Sequence, residues 1–588
     1  MSLDSVSSQK DAASSVGGSM LQVMGRRWMV AAGHPLAAQA AARILQAGGN
    51  AIDAGVAAGF MLGVVHPDMV SFAGVAPILV HLARTRETFE VSGVGPYPKR
   101  ATADFFREKC GGQIPAGVLR TVVPAAPDAW CAALERWGTK SFGETVAPAL
   151  ECAERGFPLS VFSAYQFGRA ADKVRRFPTS AAVYLKDGQG PPPGYLLVEA
   201  ELAETIKMMV AAETASRARG HGAAIRAARD VFYKGEIAQR IADYHAREGG
   251  LMTVEDLGEF SVEIAPALKT SFGEYEVASC GFWCQGPVLL QMLNLIESYD
   301  WRALGHNTPR ALHILVEAMK LAFADREAYY GDPLHVKVPV DGLLSKEYAK
   351  IRRGLLREDR AFPDLPPAGD PWGLRATANG GHGISGPVTL RPEGSLDTSY
   401  VCVVAADGNA FSATPSDPGV DSPLVPGVGC VVSPRGSQGW LTPGHPSIVG
   451  PGKRPRLTPA PALALRDGRA FMPIGTPGGD VQQQAMLQVF LNVIAHGMRP
   501  QQAIDAPRIA SRSFPDSFWP HAHAPGVVEA ESRLSPDTRN ALAALGHNVA
   551  DWPDWDWRAG AVCCVMVGPD GVLSGGADPR RGALAIGW

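Results

Sequence analysis

The sequence lacks an excess of positive charge. Its 588 residues carry 55 Lys and Arg against 58 Asp and Glu, a net charge of −3. A basic stripe for nucleic acid is not expected. Apolar runs of membrane-spanning length are missing too, since stretches such as Ala54 to Val65 stop short. The opening, Met1 to Gln22, is Ser-rich and has neither the basic start nor the apolar core of a secretion signal. Cysteine is sparse: nine residues, an odd number, with no metal-ligand spacing. They read as buried reduced thiols, which points to a reducing compartment, so the expected location is cytoplasmic. Neither metal nor other cofactor is expected. Internal repeats are absent.

What is present suits a large folded core. Apolar residues make up 46% and charged residues 19%, while 65 Gly and 47 Pro predict many turns. Residues 1–27 read as a flexible tail. A short strand, Met29 to Ala32, leads into an Ala-rich helix, Leu36 to Ala47, capped by Gly48-Gly49-Asn50. A second helix opens at Ala51 and stops at His66-Pro67, with Asp53 in its first turn either a catalytic acid or, as its place at a helix start favours, a capping or structural hydrogen-bonding group. Strands follow at Ile78 to Ala83 and Thr88 to Ser92. Helices are expected at Ala126 to Trp137, Thr145 to Arg155, Gly286 to Ser298 and Arg310 to Tyr330. Thr253 with Asp256 forms a capping box. Residues 361–394 differ in kind: Pro363, Pro366, Pro367, Pro371, Pro392 and a Gly-rich run suggest a mobile linker.

The chain is organised around what comes next. After Gly394-Ser395-Leu396-Asp397, Thr398 starts the run Ser399-Tyr400-Val401-Cys402-Val403-Val404. Asp407-Gly408-Asn409 then marks a turn, and a second alternating run follows. This predicts a β-hairpin with Thr398 at the mouth of its first strand. The hydroxyl is either that of an ordinary strand threonine or a nucleophile exposed by cutting the chain before it. From here strands and turns dominate, apart from helices near Asp480 to His496, Pro500 to Ala506 and Ser535 to Leu545.

Several motifs occur in a fixed order: Gly48-Gly49-Asn50-Ala51-Ile52-Asp53-Ala54, Phe232-Tyr233-Lys234-Gly235, Glu317-Ala318-Met319-Lys320 with Ala324-Asp325-Arg326, and Asp407-Gly408-Asn409-Ala410. Lys453-Arg454-Pro455, Gly475-Thr476-Pro477-Gly478-Gly479, Ala506-Pro507-Arg508 and Ala577-Asp578-Pro579-Arg580 complete the set. Over about residues 28–588 the chain resembles the γ-glutamyltranspeptidase family. The resemblance implies an α/β (α+β) N-terminal nucleophile (Ntn) hydrolase fold, a four-layer αββα sandwich. It also implies self-cleavage between Asp397 and Thr398 into a large segment, 28–397 after the tail, and a small segment, 398–588. The two would form a heterodimer within one domain, with a dimer of heterodimers as a further assembly.

Cleavage gives Thr398 its own α-amine, of unperturbed pKa about 7.7–8.0. That amine can take the hydroxyl proton, so nucleophile and base sit on one residue. By resemblance, Gly478 and Gly479 supply oxyanion donors and Ser416 stands where the family has a hydroxyl touching the nucleophile. The family's carboxylate-binding arginine, however, is missing. Ser92 is its nearest match and cannot clamp a carboxylate in bidentate fashion. Pro418 replaces an asparagine, and Leu457 and Thr458 stand where the family has paired serines. Arg435 is a candidate carboxylate ligand or a solvated loop arginine. Asp417 is a candidate for a cationic group or a turn stabiliser. His445 is a candidate pocket residue or a plain loop histidine, and Thr458 completes the candidate substrate contacts.

The expectation is a self-processing amidohydrolase acting on a small-molecule amide, akin to oxamate amidohydrolase-like or cephalosporin acylase-like members and not γ-glutamyl specific. A genuine γ-glutamyltransferase or glutathione hydrolase with a rebuilt clamp is the second reading. An unprocessed, non-enzymatic scaffold is the third.

Overall fold

A computed structural model describes residues 19–377, Val388 and residues 398–588. Two seven-stranded sheets dominate it. One runs Leu584–Gly587, Trp28–Ala32, Val401–Ala405, Ala410–Ala413, Ile78–Leu82, Glu87–Val91, Ile264–Pro266. The other runs Val23–Gly25, Leu573–Ala577, Cys563–Val567, Arg469–Gly475, Ala462–Arg466, Tyr275–Ser279, Leu268–Phe272. Every pairing in both is antiparallel.

The layering follows from strand alternation. Cys402 and Val404 join Met29, Ala31 and Leu79 in a core shared with Ala278, Leu463, Cys563 and Val565 of the other sheet. Val401 and Val403 point the opposite way, with Val30, Ile78 and Phe411, onto helices Pro35–Gln46 and Ala51–Val65. On the far side Val277, Ala462, Ala464 and Met472 pack on helices Gly286–Ile296, Pro309–Tyr329 and Gln482–Ile494. Helix, sheet, sheet, helix is the expected αββα sandwich. It also explains why the central strands read as nearly continuous apolar runs, since both faces are covered.

Helix Ala51–Val65 is buried along its whole length. It lies close to the sheet because a Cβ at Gly55 would sit 2.1 Å from the Phe411 ring. Asp53 caps as expected: Asn50 N–H donates to Asp53 Oδ2 at 2.9 Å, and Thr139 N–H donates to Oδ1 at 2.8 Å. The predicted hairpin is present, with Val401 opposite Ala413 and Val404 opposite Ala410.

Two expectations are corrected. The tail expected over 1–27 is ordered at its end, because Val23–Gly25 pairs with Leu573–Ala577 and Gln22 Nε2 donates to Gly575 O at 2.8 Å. A three-residue edge strand is too short to leave a pattern. Residues 361–377, expected as the start of a mobile linker, are held. Phe362 N–H donates to Glu317 Oε2 at 2.8 Å, and Lys320 Nζ donates to Phe362 O at 2.6 Å. Further along, Gly369 N–H donates to Asp325 Oδ1 at 2.9 Å and Arg352 Nη1 to Ala376 O at 2.6 Å. The prolines mark a lack of regular structure, not a lack of contacts. The rest of that stretch, Asp397 and the expected cleavage junction included, lies outside the described residues, Val388 excepted. Among the described residues no helix is long and apolar enough to cross a membrane.

Candidate functional site

Strand Val401–Ala405 delivers residues 398–400 to one end of the two-sheet core. Ser399 N–H donates to Pro415 O at 2.9 Å and Thr398 N–H to Met69 O at 3.0 Å. Thr398 is fully buried, and its φ is +94°. A β-branched residue in that region is held there against a cost of about 1–3 kcal/mol. Its hydroxyl lies 2.7 Å from the Ser416 hydroxyl. Ser416 is fixed in turn: its N–H donates to Val75 O at 3.0 Å, and a Cβ at Gly74 would meet Ser416 O at 2.2 Å.

Arg435, in the short turn Arg435–Gln438, is only 1% exposed. The solvated-loop reading is therefore overturned. Its guanidinium donates to Ser416 Oγ and Asp417 Oδ1, and to Thr458 Oγ1 at 3.1 Å. The Phe518 ring covers it at 5.3 Å. Asp417 thus meets a cation of the same chain. It has a φ of +103°, and its Oδ2 accepts no hydrogen bond among the described residues. Thr458 Oγ1 also accepts from Gln438 Nε2 at 2.9 Å.

The network continues to the glycine pair. Gln285 Nε2 donates to Thr458 O at 3.0 Å and to Gly479 O at 2.9 Å. Gly478 has φ +127° and Gly479 φ +56°, at the entry to the turn Gly479–Val481 and helix Gln482–Ile494. Among the described residues neither glycine N–H donates to a protein acceptor. Two amides left over at a helix start are an anion-binding arrangement. A continuous path, Thr398–Ser416–Arg435–Thr458–Gln285–Gly479, therefore joins most of the residues picked from the sequence.

Ser92 and His445 stand apart from that path. Ser92 Oγ accepts from Glu263 N–H at 3.0 Å, so this side chain holds the neighbouring strand. His445 stacks on Trp440 at 4.1 Å, and the other face of Trp440 stacks on His521 at 3.8 Å. Burial pushes His445 down to about 4, although Glu327 lies 3.7 Å away. Burial alone would raise Glu327, but Arg456 and Arg326 outweigh it and hold the carboxyl below its ordinary range.

The sequence reading missed His66, Asp68, Met69 and Ser399. Met69 O receives the Thr398 amide, and Ser399 Oγ lies 3.3 Å from His66 Nδ1. His66-Pro67 had a sufficient local meaning as a helix stop. Only the fold brings it beside Ser399, 333 positions along the chain.

The gamma-glutamyltranspeptidase family model matches residues 37–588. The chain belongs to the gamma-glutamyltranspeptidase family. It is 34% identical to the Acylase ACY 1 proenzyme of Pseudomonas sp. (strain SE83), covering 96% of this chain and 94% of that protein. It is 30% identical to the glutathione hydrolase-like YwrD proenzyme of Bacillus subtilis (strain 168), covering 96% and 99%. The crystal structure of a cephalosporin acylase from Bacillus halodurans superposes with a TM-score of 0.84 at 28% identity, covering 97% of this chain and 98% of that one. Relatives named for more than one activity therefore match 96–97% of this chain, so the family alone does not imply γ-glutamyl specificity.

Proposed function

We propose that the protein is a self-processing amide hydrolase with Thr398 as its nucleophile. Cleavage of the Asp397–Thr398 bond frees the Thr398 amine. That amine takes the Thr398 Oγ–H proton as Oγ bonds to the amide carbonyl carbon of a small substrate. The carbonyl electrons move onto oxygen, where the Gly478 and Gly479 amides receive them. Collapse breaks the C–N bond, and the leaving amine departs with the proton. Water then hydrolyses the acyl-enzyme with the α-amine again as base. Ser416 orients the nucleophile, and Arg435 holds Ser416, Asp417 and Thr458 in place.

The observation that carries this reading is Thr398 itself. It is buried, held at φ +94°, with its hydroxyl 2.7 Å from Ser416. An ordinary strand threonine has no need of that backbone.

Arg435 is engaged by Asp417, and Ser92 by a neighbouring strand. Neither of these candidate positions is thus left to hold a free α-carboxylate in bidentate fashion, which supports an acyl group other than γ-glutamyl. The similarity to a glutathione hydrolase-like protein keeps γ-glutamyl hydrolysis as the second reading. The proposal includes a heterodimer of the two fragments, with a dimer of heterodimers as its further assembly. It also includes a cytoplasmic location, which nine free thiols support.

Denaturing electrophoresis tests the core of it. Wild-type protein should give two fragments, the smaller beginning at Thr398, and Thr398→Ala should give one full-length band with turnover at background. A wild-type chain that stays intact would sink the proposal. Assay of γ-glutamyl-p-nitroanilide beside simple acyl anilides separates the two readings, since efficient γ-glutamyl turnover favours the second.

A further inference from the structure

The loop after helix Ala51–Val65 turns on the His66 carbonyl, which accepts from Met69 N–H at 2.9 Å and Val70 N–H at 2.8 Å. It presents several groups to the first two residues of the small segment. Met69 O accepts the Thr398 amide. His66 Nδ1 lies 3.3 Å from Ser399 Oγ, and the Asp68 carboxylate lies 3.9 Å from His66 Nε2. Pro67 O accepts from Gly419 N–H at 2.9 Å, which ties the same loop to the segment carrying Ser416 and Asp417. Ser399 Oγ fits only because Gly33 has no side chain, since a Cβ there would sit 2.3 Å from it.

His66, Asp68 and Ser399 are all buried. Neither Asp68 oxygen accepts a well-formed hydrogen bond from another described residue, though the Ser163 hydroxyl lies beside the carboxyl and lowers its pKa. A buried carboxylate so poorly supplied with donors is costly. The groups around the row are His34, whose ring is 5.6 Å from that of His66, then Phe162 and Ser163 of helix Val161–Arg175, and Arg581. Burial pushes His66 down to about 3, with Arg581 adding to it, and raises Asp68 to about 6. Near pH 7 His66 is then neutral and Asp68 mostly charged. The Asp68 carboxylate, 3.9 Å from Nε2 and beyond hydrogen-bond reach, favours by its charge the neutral His66 tautomer with the proton on Nε2. The ring Nδ1 then accepts from the Ser399 hydroxyl.

We propose that Asp68, His66 and Ser399 form a positioning row for the α-amine of the cleaved enzyme. Asp68 sets the His66 tautomer, His66 fixes the residue next to the nucleophile, and the Asp68 charge offsets the ammonium formed when the amine takes the Thr398 proton. No covalent step is added. The inference rests on the proposed self-processing, and wild-type electrophoresis tests that basis separately.

The experiment is a pH profile of kcat/KM for cleaved wild type, Asp68→Asn and His66→Gln. A nearby carboxylate favours the ammonium form of an amine. The amine must be neutral to act, so activity is lost as pH falls through its pKa. Asp68→Asn should therefore move the acidic limb to lower pH, by about 0.5 unit or more, while kcat falls about tenfold. His66→Gln should lower kcat with Tm nearly unchanged. A limb that stays in place in cleaved Asp68→Asn overturns the proposal, because a merely structural role would change Tm and not the limb. Should Asp68→Asn fail to fold or to cleave, Ser399→Ala decides. A loss of kcat at unchanged Tm supports the row, and kcat within about twofold of wild type overturns it.

Discussion

Two regions of this molecule are dense in buried polar groups, and they are built on different rules. Around helix Pro309–Tyr329 and the Asp578–Arg580 turn, each of the main charges meets an opposite one. Lys320 lies 2.8 Å from Glu317, Arg352 lies 3.3 Å from Asp325, and Arg326 pairs with Asp480 and with Glu327 at 2.6 Å. Arg580 lies 2.7 Å from Glu531 and 3.1 Å from Asp578. Around Thr398 the rule is strained backbone beside a buried hydroxyl, joined to unmet capacity of a kind that Glu317 Oε1, Arg352 Nε and Arg508 Nη1 show in the paired region too. Two non-glycine residues hold positive φ and, among the described residues, Asp68 and one Asp417 oxygen are short of donors and two glycine amides have no protein acceptor. Buried polar groups that are compensated fix a structure. Strain and unmet hydrogen-bonding capacity near a hydroxyl are what a reacting molecule can use.

The comparison breaks most visibly at Arg580. Its loss leaves Glu531 and Asp578 buried with only Arg508 and the partly exposed Arg533 beside them. Arg580→Met should cost about 3–5 kcal/mol of stability, read as a large drop in Tm or in soluble yield. A variant with wild-type Tm and lost turnover would move this cluster into the functional class. Gly478→Ala tests the other region. A Cβ there has room, with Val481 Cβ as its nearest neighbour at 3.5 Å, so the conflict lies in the φ of +127°. Correcting that φ turns the amides away from the oxyanion. The expected result is kcat lower by about 10²–10³ with a smaller change in Tm. Unchanged kcat would remove the glycine pair from the mechanism.

This division was only half legible in the sequence. Alternation in Val401–Val404 and the Asp407-Gly408-Asn409 turn were enough for the hairpin, and ordered motifs carried the family and its layers. Thr398, Ser416, Gly478 and Gly479 were picked by position in those motifs. Yet the Glu317-to-Arg326 motif, so useful for recognition, is a clamp on Phe362 and Gly369 and on neighbouring charges. Residue type cannot separate a compensated acid from an uncompensated one where the partner lies far along the chain, as Asp480 does from Arg326 and Glu531 from Arg580. Arg435 read equally well as a solvated loop residue until the fold placed Asp417, Ser416 and Thr458 around it. His66 and Ser399 are 333 positions apart, and no local pattern links them.

Glu90 falls between the two rules and offers the finest test. Gly281 N–H donates to it at 2.5 Å and Trp283 Nε1 at 3.3 Å, yet among the described residues no cation forms an ion pair with it. Burial raises its pKa from 4.5 to about 7, against the pull of those two donors and of Arg454, while Glu263 pushes it further up. Between those values the folded chain keeps a proton that the unfolded chain has lost. Stability linked to Glu90 is therefore fully present below about pH 4.5 and is lost as pH rises through 7. Glu90→Gln keeps an acceptor for Gly281 and cannot ionise. It should narrow the difference in Tm between pH 5 and pH 8, stabilising the protein at pH 8 by about 1–3 kcal/mol. An unchanged difference would mean that Glu90 remains ionised in the fold, with Arg454 as its effective counter-charge, and would place it among the compensated groups.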